Sequence, residues 1–138
     1  MKSVKHVVFS IIFLVSGLLI AFGPQFIFKI CDQHHGEITN CFWTARALLG
    51  TGILIALLGI LSLLFKNTGV LTGLGISILL NSLLAFLISN VLIGMCEHST
   101  MDCRLITLPV LNVISIPVIV LAAVHVFLLS RSLRKEEA

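Results

Sequence analysis

The chain has 138 residues, of which 58% are hydrophobic and 11% charged, with a mean hydropathy of +1.15 and a formal charge of +3. A soluble domain carries about a quarter charged residues, so water alone cannot be the solvent of this fold. The positive excess is too small, and too confined to the chain ends and loops, for a nucleic-acid partner.

All charged residues fall in short zones separated by four uncharged stretches: Val7–Phe28, Ala47–Phe65, Asn67–Cys96 and Leu105–Ser130. About 20 helical residues cross a hydrocarbon core, and transmembrane strands would be shorter and alternating. The predicted fold class is therefore all-α. It is a single polytopic domain, residues 1–138, with four transmembrane helices arranged as two hairpins. The expected spans are approximately 7–28, 45–65, 70–95 and 107–129, with outer loops at 29–43 and 96–106.

In the first span, Lys2 and Lys5 precede a long apolar run, and Ala21-Phe22-Gly23 is a poor cleavage site, so an uncleaved helix is expected. Gly23-Pro24 should end or kink it. The first outer loop contains Cys31, His34, His35 and Cys41, flanked by Phe26, Phe28, Phe42 and Trp43 in the manner of an interfacial aromatic belt. In the second span Gly52 and Ala56 fall four apart, and in the third Gly69, Gly73, Ser77, Asn81 and Ala85 form a small-residue stripe. Both patterns predict close helix packing. The second outer loop carries Met95, Cys96, His98, Met101 and Cys103, and Pro117 should bend the fourth span.

Lys and Arg collect on the cytoplasmic side. Lys2, Lys5, Lys66, Arg131, Arg134 and Lys135 lie on one side of the predicted spans, and Lys29, Arg46 and Arg104 on the other. Both termini and the Lys66-Asn67-Thr68-Gly69 turn are therefore expected in the cytoplasm of a bacterial cell membrane. The cysteine loops are expected outside, where disulfides persist.

Nine residues separate Cys31 from Cys41, and six separate Cys96 from Cys103. Short loops favour the local pairs Cys31–Cys41 and Cys96–Cys103, although four cysteines allow three connectivities. The same residues admit two other chemistries. Disulfide bond formation protein B and the vitamin K epoxide reductases use four-helix membrane scaffolds with outer-face cysteines. By that architectural likeness, Arg46 would lie near a quinone in a thiol–disulfide oxidoreductase. The Cys-x-x-Cys motif of such relays is absent from the sequence. Alternatively, His34, His35, Met95, His98 and Met101 join the cysteines as donors suited to a soft ion, Cu(I) or Zn(II).

No Asp, Glu, Lys or Arg lies in the interior of any predicted span, Arg46 standing at the edge of the second, which argues against an ion-coupled pump. Asn81, Asn90, Asn112 and His125 remain, and interhelical hydrogen bonding is their expected role. No phosphate-binding glycine loop or nucleophile elbow is present.

Cys41-Phe42-Trp43-Thr44-Ala45-Arg46 is one distinctive segment; Val91-Leu92-Ile93-Gly94-Met95-Cys96, with Met101-Asp102-Cys103-Arg104 and Thr107-Leu108-Pro109, is another. With the length and hairpin layout, they resemble a bacterial four-span family called domain of unknown function 4418. Family members often carry Met-x-Cys-His where this chain has Ile38-Thr39-Asn40-Cys41-Phe42, which removes two soft donors here. The resemblance implies the four-span fold. By association with ATP-driven permeases of the macrolide-exporter type, it also implies an accessory subunit of an ABC transporter. The expected function is thus non-enzymatic: a membrane subunit that packs against another membrane protein, or itself, with disulfide-pinned outer loops as recognition surface. No cofactor is required.

Overall fold

The computed structural model describes residues 2–23, 26, 40–92 and 108–137. In chain order the helices are α1 (Lys2–Phe22), α2 (Asn40–Leu64), α3 (Thr68–Leu87) and α4 (Leu108–Glu137), and Ile88–Leu92 prolong α3 as a π-helical turn. All four helices are long and apolar enough to cross a membrane, and the protein is an all-α, multi-pass membrane protein.

α1 and α2 begin before their uncharged stretches and α4 runs beyond its own, whereas α3 stays within its stretch. The apolar length fixes what the bilayer covers, whereas backbone hydrogen bonding continues into water. α4 thus reaches Glu137, with Arg134 and Lys135 in its last turn, where cations offset the negative end of the helix dipole. α2 begins at Asn40, which puts Cys41 and Phe42 in the helix rather than in the loop before it. α1 stops at Phe22, directly before Gly23-Pro24. α4 continues through Pro117, whose missing N–H leaves the Val113 carbonyl without its helical donor.

A three-residue turn, 65–67, reverses the chain between α2 and α3. Asn67 caps α3: its side-chain oxygen accepts from the Gly69 N–H at 3.1 Å, and its carbonyl accepts from the Leu71 N–H at 2.9 Å.

Buried positions recur at alternating steps of three and four. On α3 they are Leu71, Gly75, Ile78, Ser82 and Ala85; on α4, Leu111, Ser115, Val118, Ala122, His125 and Leu129. This is the spacing of antiparallel bundles with small positive crossing angles. Small residues such as Gly75, Ser82, Ala85, Ser115 and Ala122 lie inside beside larger core residues such as Ile78 and Leu111, while many large apolar ones, such as Leu54, Leu80, Val113 and Val120, face outward. That inversion suits a bilayer, where association depends on close packing rather than on removing apolar surface from water.

α1–α2 and α3–α4 are the broad contacts, and α1–α4 is the narrowest seam of the four-helix ring. The α1–α2 crossing is backbone against backbone. A Cβ at Gly52 would fall 2.5 Å from the Ala21 nitrogen, and one at Gly17 would fall 2.6 Å from the Ala56 nitrogen. At Gly59 it would lie 3.0 Å from the Leu14 nitrogen. Only glycine permits such an approach.

Thr51, Ser62, Thr72, Ser77, Ser82 and Ser89 are satisfied by carbonyls of their own helices. Ser62 donates to the Leu58 carbonyl at 2.8 Å, Ser82 to Ile78 at 2.7 Å and Ser89 to Ala85 at 2.9 Å. A polar group in hydrocarbon needs such a partner.

Candidate functional site

Three of the intramembrane polar residues make the expected hydrogen bonds. Asn81 on α3 donates to the Thr51 carbonyl of α2 at 3.0 Å. Asn90, in the π-helical turn, and Asn112 on α4 exchange amide hydrogen bonds at 2.9 and 3.3 Å. The fourth, His125, does not. It is only 4% exposed, and neither ring nitrogen has a hydrogen-bond partner. The expectation of an interhelical hydrogen bond there is therefore corrected. The neighbours of the imidazole are rings: Phe9 at 4.9 Å, Phe13 at 5.8 Å and His6 at 5.9 Å, centroid to centroid.

The local sequence explains the placement. Gly75 on α3 has no side chain to hold α4 away, and a Cβ there would come within 2.8 Å of Val126 and 3.5 Å of His125 Nδ1. α4 accordingly lies close to α3 and presents His125 at a core position of its heptad. From α1, His6, Phe9 and Phe13 fall three and four apart, so one helical face supplies all three rings.

His6 and His125 line a cavity of about 450 Å³ at the end of the bundle that holds both termini and the α2–α3 turn. Its walls are mostly apolar, including Phe9, Leu71 and Leu129, with Ser62 and Ser132 among them. Lys5, Lys66 and Glu136, all exposed, line it too. The Nδ1 of His6 is also buried without a partner. Leaving a buried polar group unsatisfied costs about 1–3 kcal/mol, so three such nitrogens around one cavity are an unmet demand for hydrogen-bonding atoms.

The residues singled out from the sequence are distributed differently. Gly52 and Ala56 lie at the α1 crossing. Gly69, Gly73 and Ser77 face outward, Asn81 turns toward α2, and Ala85 is buried. The buried line of α3 passes through Gly75 and Ile78 rather than through Gly73 and Ser77. Cys31, His34, His35, Met95, Cys96, His98, Met101 and Cys103 lie outside the described residues, as does the side chain of Cys41. The proposed disulfides and soft-metal set therefore fall outside as well. Among the described residues no group of three or more His, Cys, Asp or Glu is placed to hold a metal ion. Phe26 and Trp43 are exposed, as interfacial aromatics are.

Sequence reasoning passed over His6 altogether and assigned His125 an interhelical hydrogen bond. The available signal was their matched position. Both stand near the charged, terminus-bearing end of the bundle, His6 beside Lys5 and His125 six residues before Arg131.

No curated protein and no solved structure matches the chain. A family model, described as Domain of unknown function (DUF4418), matches residues 13–128, from Phe13 in the first span to beyond His125 in the fourth. This four-helix membrane protein belongs to the DUF4418 family.

Proposed function

We propose that the protein is a non-enzymatic membrane subunit that packs against another membrane protein through the outward face of α3. The supporting observation is the open line Gly69, Gly73 and Ser77: a Cβ at Gly73 would meet nothing within 4 Å. In the same chain, glycines at positions 17, 52 and 59 bring two helix backbones into contact. An unoccupied face of similar composition suits the same kind of neighbour. An ATP-driven exporter of the type implied by the family resemblance is the partner class to examine first. Cysteine-pinned outer loops, facing the extracytoplasmic side, would add a recognition surface.

A photo-crosslinking residue at Gly73, compared in cells with one at exposed Leu54 on α2, tests this. A defined membrane-protein adduct from position 73 alone is expected, and a second copy of this chain would assign the face to self-association. Lipid adducts alone at both positions would remove the support. A mixed disulfide trapped by replacing one of Cys31, Cys41, Cys96 or Cys103 would instead favour thiol–disulfide exchange.

A further inference from the structure

We propose that the cavity between α1, the α2–α3 turn and α4 binds an anionic amphiphile: an acyl chain ending in an acidic headgroup. This is independent of the outward α3 face, because it concerns a cavity at one end of the bundle and needs no protein partner.

The buried imidazole of His125 carries the inference. It lies in a cavity of about 450 Å³ and makes no hydrogen bond through either nitrogen. With the orphaned Nδ1 of His6, three buried ring nitrogens without partners belong to two residues that line this one space. A phosphate or carboxylate oxygen accepts a charge-assisted hydrogen bond from the one ring nitrogen through which each neutral imidazole donates. Lys5 and Lys66 line the cavity and supply compensating positive charge, with Glu136 also on its lining. A bare metal ion suits the cavity less well: two imidazoles are too few, and the described residues supply no third ligand cluster.

A free inorganic anion would leave the apolar walls unused. Phe9, Leu71 and Leu129 form much of the lining, and Val7 and Leu128, which also line the cavity, are exposed on the outer surface of the spans. A hydrocarbon chain can therefore run from the cavity into the bilayer along Val7 and Leu128. The narrow α1–α4 seam is where such a chain would pass. Lysines at a membrane surface are the usual partners of acidic lipid heads.

The experiment uses the full chain in neutral detergent, stripped of co-purifying lipid. Thermal unfolding and native mass spectrometry are followed with added phosphatidylglycerol, phosphatidylcholine, oleate or inorganic phosphate. Phosphatidylglycerol or oleate should raise the unfolding temperature and leave one retained molecule per chain, and phosphatidylcholine should do neither. Which of the two acts identifies the source as phospholipid or free fatty acid. Lys5→Gln and Lys66→Gln alter exposed side chains, and each should weaken binding roughly five-fold. His125→Phe should abolish retention. Equal effects of phosphatidylcholine, or binding left undiminished by Lys5→Gln combined with Lys66→Gln, would overturn the proposal. So would an equal shift from inorganic phosphate, because the chain would then be irrelevant.

Discussion

Asn90 and Asn112 clasp the upper ends of α3 and α4, each side-chain amide donating to the other's carbonyl oxygen, at 2.9 and 3.3 Å. Asn90 also donates to the Phe86 carbonyl at 2.9 Å, and it stands in the π-helical turn Ile88–Leu92. The wider turn changes the direction in which successive side chains leave the helix, and π-bulges commonly accompany such redirected residues.

Asn112→Leu should destabilise the protein by about 1 kcal/mol, the usual scale for an interhelical hydrogen bond in a membrane. Replacing both asparagines should cost less than the sum of the single changes, because the second removes a group already without its partner. Unfolding of the two single variants and the double variant in mixed micelles measures the coupling, and strict additivity would mean that the clasp contributes nothing.

Gly52→Ala should be strongly destabilising, by about 2–3 kcal/mol, since the added methyl falls 2.5 Å from the backbone nitrogen of Ala21 and backbone cannot step aside. Gly50→Ala, two residues earlier, is the matched control. Nothing lies within 4 Å of its Cβ, so stability should hold or rise by about 0.5–1 kcal/mol. Thermal denaturation of the pair in one detergent compares them directly.

Gly75→Leu should force α3 and α4 apart at Val126 and move His125. A loss of about 1–3 kcal/mol is expected for overpacking at such a site. The distinctive outcome is that retention of an acidic lipid is lost together with stability. Gly73→Leu, on the open face of the same helix, should leave both unchanged in the isolated chain.

Topology is checked by thiol labelling in intact cells with a membrane-impermeant maleimide. Cys31, Cys41, Cys96 and Cys103 should react only after reduction, and a cysteine introduced at Asn67 should stay unlabelled. Reaction without reduction would exclude the two disulfides and bring soft-metal binding forward. Labelling at position 67 in a cysteine-free background would invert the orientation.

The four spans were legible because charge is excluded from hydrocarbon, so the fifteen charged residues punctuate the chain. Gly52 and Ala56 could be read because two small residues one turn apart stay on one face. The longer stripe on α3 could not be read so simply. Steps of four residues overshoot the helical turn by about 40°, so the line from Gly69 to Ala85 winds through about 160°. It starts on the outside and ends in the core, while the three-and-four steps through Leu71, Gly75 and Ile78 hold the inner face. The histidine cavity was hidden for another reason. His6 and His125 are 119 positions apart, and only closure of the bundle brings the first helix against the last.

Close contact between α1 and α2 also bears on the order in which the molecule comes together. The N-terminal helices leave the ribosome first, and a glycine-lined pair can associate in the bilayer before the later helices arrive. The α3–α4 pair, fastened by its asparagines, is the second unit. On that schedule α1 and α4 meet last. The rings of Phe9, His6 and His125 then come together only after α4 has been made, so a hydrophobic guest with an acidic end would find its seat only once the last of these helices is in place.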